Sequence, residues 1–114
     1  MTMMPLKVLW RRSRNVGRNT AMREKSIEQK LVKAIKTVGG IAPKLACPGF
    51  DGMPDRIVLM PGGRMAFVEV KAPGQKPRAL QAARHELLRR LGFKVFVLDN
   101  DADIKNIVSE VMPE

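Results

Sequence analysis

GMPDRIVLMPGGRMAFVEVK, residues 52–71, reads as two strands joined by a tight turn. Ile57, Val58, Leu59 and Met60 make the first apolar run; Pro61, Gly62 and Gly63 are turn residues; Met65, Ala66, Phe67, Val68 and Val70 make the second run. The charges in this hairpin need a reason. Asp55 stands at the mouth of the first strand, and Glu69 and Lys71 interrupt the far end of the second. If Pro61 faces Arg64 across the turn, paired positions sum to about 125 and Asp55 falls opposite Val70; a shift of one residue puts it opposite Glu69. In both registers two carboxylates from neighbouring strands meet at one edge of the sheet. Side chains alternate along a strand, so Glu69 and Lys71 share a face and Val70 points away. Such a group in an apolar hairpin is costly unless something binds it. A divalent metal is the natural occupant: Mg²⁺ takes oxygen ligands, keeps several waters and uses one or two carboxylates plus substrate phosphate. The plainer reading is that Asp55 caps a turn and that Glu69 and Lys71 are a solvated strand end.

The 114 residues predict one domain with a modest core. Aromatics are 4% of the chain, so Leu, Ile, Val, Met and Ala must build that core. A net charge of +10 makes a polyanion the leading partner. The scarcity of aromatics argues against base stacking as the main binding mode and favours phosphate contact, with steep salt dependence. Cys47, the only cysteine, allows no internal disulfide and no thiolate zinc cluster, which fits a reducing compartment. His85, the only histidine, excludes a histidine-built metal site. No stretch is long enough to span a membrane.

Residues 1–23 carry Lys7, Arg11, Arg12, Arg14, Arg18 and Arg23 and no acid, and read as a basic N-terminal arm or leader, flexible alone. A solvated leader ahead of a later start at Met22, an arm that orders on nucleic acid or a partner subunit, and a transit peptide are the three readings. The domain proper spans 24–114. Residues 24–38 predict a helix with Ile27, Leu31, Ala34, Ile35 and Val38 on one face, a capping-box-like Ser26 and Gln29, and a stop at Gly39-Gly40. Glu28 flanks the apolar stripe: either a surface carboxylate or a third acid at the cleft edge. Residues 41–46 predict a short strand broken at Pro43, and 47–54 a loop in which Asp51 is a turn residue. After the hairpin, 72–78 is a Gly/Pro loop carrying Lys76 and Arg78 beside the site. A helix over 78–91 turns Leu80, Ala83, Leu87, Leu88 and Leu91 inward and Arg84, Arg89 and Arg90 outward. Gln81 and His85 lie one turn apart and could both face the strand ends, with His85 read as a surface or partly packed residue. Residues 94–98 predict a buried strand, the acids at 99, 101 and 103 a helix N-terminus, and 102–112 a last helix with Ile104, Ile107, Val108 and Val111 inward. The order is helix, strand, strand, strand, helix, strand, helix, an α/β layer with a right-handed parallel crossover.

That order, with Pro54-Asp55 and Glu69-Val70-Lys71 on the middle hairpin, resembles the PD-(D/E)XK nuclease superfamily. The finer resemblance is to its VRR-NUC family, in the small stand-alone form of phages and bacteria. It rests on Gly52-Met53-Pro54-Asp55-Arg56, the turn Pro61-Gly62-Gly63, the run Phe67 to Gly74, Gln81, and Leu91-Gly92-Phe93-Lys94-Val95, and spans about 24–112 without the basic leader. The resemblance implies a restriction-endonuclease-like α-β-β-β-α-β core, a mixed sheet flanked by helices, with a C-terminal helix added. It implies a Mg²⁺-dependent endonuclease, with Mn²⁺ as a substitute and no organic cofactor. Asp55 and Glu69 would be metal ligands together with the main-chain carbonyl of Val70, and Glu28 would complete the shell directly or through water. Lys71 would contact the attacking water and the scissile phosphate, and Gln81 would orient Lys71 or the water. Pro54 is expected to add little chemistry beyond stiffening the approach to Asp55. Lys71, Lys76, Arg78, Arg56 and Lys44 are the expected DNA contacts.

Small members of this family are associated with homodimers that cut branched DNA such as four-way junctions; in this chain the edge at 41–46 or the last helix is the expected interface. No membrane is expected as a partner, and the implied location is the cytoplasm, of the host if the protein is viral. A flap or single-strand nuclease, a nickase, and a non-catalytic nucleic-acid-binding module on the same fold are the alternatives. No base-reading helix is evident, which favours recognition of DNA structure over sequence.

Overall fold

The structure, a computed structural model, describes residues 6–113. Its centre is the expected hairpin: β1 (Arg56–Met60), one 3-10 turn at Pro61–Gly63, and β2 (Arg64–Val70). Gly62 and Gly63 take φ of +81° and +77°, a region that side-chain-bearing residues avoid, and this lets a three-residue turn close the strands. Met60 pairs with Arg64 and Arg56 with Val68, so paired positions sum to 124. The alternative register of one residue's shift is therefore the one adopted.

β2 is the middle strand. It pairs antiparallel with β1 and parallel with β3 (Val95–Leu98), and α2 (Ala79–Arg90) makes the crossover between the parallel strands. Val58, Met60, Ala66, Val68, Val70 and Leu98 pack under Ile27, Leu31 and Ile35 of α1 (Leu6–Thr37) and Ile104, Ile107 and Val111 of α3 (Ile104–Val111). Each of the larger of these side chains (Val, Leu, Ile, Met) contributes about 1.5–3 kcal/mol when fully buried. On the other face Phe67 and Val95 pack on Leu88 of α2. The mixed sheet is thus covered by helices on both faces, as expected.

Three elements differ from the sequence reading. Residues 41–46 touch β1 through two isolated bridges, Ile41 with Leu59 and Lys44 with Arg56, rather than a continuous ladder. Ile41 and Leu59 exchange both backbone bonds, and Pro43 accepts from Ile57, but a proline has no N–H to return. α1 begins at Leu6, eighteen positions before the expected start at Glu24, so Ser26 and Gln29 lie mid-helix. The sequence from Leu6 to Thr37 holds no proline and a single glycine, Gly17, so nothing breaks the helix between the basic segment and the core. Residues 1–5 of the expected arm lie outside the described residues. On α2 the buried stripe is Gln81, His85 and Leu88, while Leu80 and Leu91 are exposed. The helix is rotated to present polar groups to the sheet, because Glu69 of β2 faces it.

Gly40 closes α1 against the hairpin, donating to the Ile35 carbonyl. A Cβ there would lie 2.6 Å from the Leu59 carbonyl oxygen and would also meet Met60 Sδ. Gly40→Ala should therefore destabilise the fold by about 1–3 kcal/mol in urea denaturation. A variant as stable as the parent would show that this contact relaxes freely.

Candidate active site

The parity of the β1 hydrogen bonds sets the geometry. Ile57 and Leu59 bond outward to the 41–45 segment, so positions 56, 58 and 60 bond to β2. Extending that ladder one step places position 54 opposite Val70. Position 54 is a proline. It has no N–H to give, so no ladder donor faces the Val70 carbonyl. The Val70 N–H is taken instead by Asp55 Oδ2 at 2.8 Å. One residue shapes both effects: Pro54 ends the ladder, and the ladder's end leaves a carboxylate beside a carbonyl that has no ladder donor. The sequence reading gave Pro54 only a stiffening role.

Asp55 falls opposite Glu69 in this register, on the face of the sheet toward α2. Glu69 is 1% exposed. Burial pushes its carboxyl up to about 8, and a side-chain hydrogen bond with Asp55 and the Asp55 charge add to the rise, against the pull of Lys71. Glu69 Oε1 lies 3.1 Å from His85 Nε2. His85 is 2% exposed, and its pKa is lowered by burial first and then by the Arg89 and Lys71 charges. Protonated on Nε2 and neutral, the ring donates to Glu69 and fixes the carboxyl plane. Lys71 is half-buried, its backbone tied to the Leu98 carbonyl at 2.8 Å while its charge acts on Glu69, Glu24 and His85.

The acid that α1 brings to this group is Glu24. Its pKa is raised by burial and then by Asp55, and it in turn raises Glu69. Glu28, the residue the sequence reading placed there, accepts from Arg56 Nε at 2.8 Å. Arg56 also donates to the Ala42 carbonyl at 2.9 Å. Both side chains thereby tie α1 to β1. Glu24, Glu28, Lys44 and Arg56 line a polar hollow of about 460 Å³ with Ala21, Lys25 and Gln29. Lys44, Lys76 and Arg78 are exposed. Gln81 is buried, and its Oε1 caps α2 by accepting from Arg78 N at 2.9 Å, leaving the amide nitrogen as the end available to the site.

Sequence reasoning missed Glu24 and His85 as members of this cluster. The signal for His85 was present as the spacing of Gln81, His85 and Leu88, itself a helical stripe. For Glu24 it was the position three residues before Ile27, one turn back along the buried face.

Among the described residues no three His, Cys, Asp or Glu side chains group tightly enough to hold an ion unaided. The donors here are two carboxylates and one main-chain oxygen. That hard, oxygen-only set fits a hydrated Mg²⁺ or Mn²⁺, which keeps waters in its shell, and does not fit zinc. The raised pKa of Glu69 has the same physical source, a buried pair of acids with insufficient positive charge beside it.

Comparison with known proteins agrees with the fold. The family model described as VRR-NUC domain matches residues 8–102. The chain is 47% identical over 90 residues to "Putative nuclease p44" of Acyrthosiphon pisum secondary endosymbiont phage 1, across 79% of this chain and 96% of that protein. A solved structure described as a VRR_NUC domain superposes with a TM-score of 0.73 at 28% identity, covering 79% of this chain and 98% of the other.

A proton held by Glu69 in the folded chain is one the unfolded chain has already released. The stability it brings is full below the unfolded value of 4.5 and lost as pH rises through about 8. His85, with a lowered value, has finished changing charge by neutral pH. Between about pH 7 and about pH 8.5 the metal-free protein should therefore lose thermal stability, and Glu69→Gln should flatten the slope. A melting temperature that holds or climbs over this window in the parent would contradict a protonated Glu69.

Proposed function

Since the chain belongs to the VRR-NUC family, we propose that its nuclease activity is Mg²⁺-dependent hydrolysis of phosphodiester bonds in branched DNA, carried out as a homodimer. The observation that carries this reading is the ladder end at Pro54, where Asp55, Glu69 and the Val70 carbonyl converge beside Lys71. Asp55, Glu69 and the Val70 oxygen would hold the cation. A divalent ion held there supplies Lewis-acid stabilisation of the charge that builds on the phosphate.

The chain's own groups do the rest. Lys71, an ammonium beside two acids, donates to a phosphate oxygen and steers the attacking water. Glu24 takes the helix-borne role assigned to Glu28 by sequence and holds a water at the open side. The Gln81 amide nitrogen orients that water or Lys71. His85 keeps the Glu69 carboxyl in one plane, as outer partners of metal ligands do. Lys44, Lys76 and Arg78 hold the phosphate backbone, sequence-independently and with strong salt dependence.

A dimer follows from the substrate. One chain carries one site, and two symmetric strands of a junction need two sites related by a two-fold axis. With Asp55, Glu69 and Lys71 all present, a module that only binds nucleic acid is the weaker reading.

The test is cleavage of a labelled four-way junction, a flap, a plain duplex and a single strand, each in Mg²⁺, Mn²⁺ and EDTA. Paired metal-dependent cuts in the junction are expected. Lys71→Ala should bind Mn²⁺ normally and lose about a hundredfold or more in turnover, and Glu24→Gln should cost more turnover than Glu28→Gln. Tight binding without cutting in any metal would overturn the enzyme reading, and a monomer making unpaired nicks would overturn the dimer.

Pro54→Ala tests the carbonyl. The new N–H can pair with Val70, so Mn²⁺ affinity by calorimetry should fall about tenfold while melting temperature holds or rises. Unchanged affinity would remove the Val70 oxygen from the site.

A further inference from the structure

Phe50 is exposed at 42% in a chain with few aromatic rings. Its surroundings hold it in place rather than leaving it to collapse. The Arg84 guanidinium carbon stands 3.9 Å from the ring centroid, covering one face. Arg84 Nε in turn donates to the Asp51 carbonyl at 2.8 Å, and Phe50 N closes a turn on the Cys47 carbonyl at 3.0 Å. Two residues on, Gly52 has φ of +90° and passes so near α2 that a Cβ would lie 2.8 Å from Leu80 Cγ. The loop is thus pinned to α2 on both sides of Asp51, and the ring is presented on a fixed base.

Under this ring-bearing loop lies a hollow of about 380 Å³ lined by Asp51, Gly52, Arg78, Leu80 and Gln81. Leu80 offers it an apolar surface, 46% exposed. Asp51, Arg78 and Gln81 offer carboxylate, guanidinium and amide edges. Gln81, which lines the hollow, lies one turn before His85 on α2, and Asp55 follows Phe50 by five residues.

A flat π-face backed by a guanidinium, beside an apolar patch ringed with hydrogen-bonding groups, matches a flat aromatic ligand with a polar rim. In a chain of net charge +10 that ligand is a nucleobase carried on a polyanion. A base inside a duplex has both faces covered by its neighbours, so only an unpaired base can use the ring. We propose that Phe50 and Arg84 form a stacking platform for an unpaired nucleobase at the rim of the cleft. The inference rests on the nuclease reading and deepens it, because it makes unpaired DNA next to the cut the feature selected. Phosphate contacts still supply most of the affinity; the platform supplies the discrimination.

Binding measured in EDTA separates this from catalysis. Fluorescence anisotropy would compare a single strand and a blunt duplex for the parent, Phe50→Ala, Phe50→Trp and Arg84→Lys. Phe50→Ala should weaken single-strand binding about tenfold more than duplex binding, Phe50→Trp should restore it, and Arg84→Lys should fall between them although its charge is kept. A 2-aminopurine at an unpaired position should be quenched by the parent and by Phe50→Trp but not by Phe50→Ala, with unchanged circular dichroism throughout. Equal losses on both DNAs, persistent quenching in Phe50→Ala, or no binding by the parent would overturn the platform. Cleavage of the same DNAs by the parent in Mn²⁺ reads the nuclease proposal separately: quenching without cutting sinks that proposal alone, and cutting without Phe50-dependent quenching sinks the platform alone.

Discussion

A missing hydrogen-bond donor organises the cleft. β1 and β2 pair in strict alternation until the ladder reaches Pro54, where the N–H that would meet the Val70 carbonyl does not exist. The Val70 N–H then turns to the Asp55 carboxylate. Both backbone polar groups of one residue, Val70, are thereby diverted from sheet building. The hydrophobic face of the same strands, with Val58, Val68 and Val70 buried under α1, prevents a slip that would restore regular pairing, because a slip of one residue would turn those valines outward. Core packing on one face therefore holds the paired carboxyl groups on the other.

The electrostatics of that arrangement are unfavourable without a cation, and the second face of the sheet accommodates this. α2 presents Gln81 and His85 where an ordinary amphipathic helix would present leucines. A neutral His85 satisfies a buried acid without bringing in a charge, which a lysine there could not do. Lys71 and Glu24 complete a cluster whose charges offset one another only in part. A site of this kind gains most from an ion that arrives with its own waters, since the protein contributes few ligands and leaves the remainder of the shell to solvent and substrate.

The hairpin, the α2 crossover, the parallel β3 and the meeting of Asp55 and Glu69 at one sheet edge were all legible from apolar runs, turn residues and alternation. What sequence left open was decided by single residues acting through the backbone. The register rests on the turn geometry of Gly62 and Gly63, which offers two answers one residue apart. Pro43 reduces the expected first strand to two bridges by withholding one bond. Choosing between Glu24 and Glu28 requires knowing where α1 crosses the sheet end, and helical spacing alone places both on the same flank. His85 was underrated although it shares a helical stripe with Gln81 and Leu88, because its meaning depends on the glutamate that faces it. Arg56 and Arg84 illustrate the converse. Arg56 was expected on DNA phosphate and Arg84 in solvent, yet one holds Glu28 and the Ala42 carbonyl and the other holds the Asp51 carbonyl and the Phe50 ring.

The broken segment beside β1 affects how copies of the protein meet. A cationic chain crowds along a polyanion and encounters its own copies at close range, where an open sheet margin can recruit a foreign strand and grow. Here the margin is poor at recruitment. Arg56 already occupies the Ala42 carbonyl, Pro43 interrupts the regular strand, and Lys44 sets a charge next to it. Copies that touch along this side must do so through side chains, in contacts that salt can loosen. The proline that costs the fold a strand thus also leaves the sheet margin poorly suited to recruiting another one.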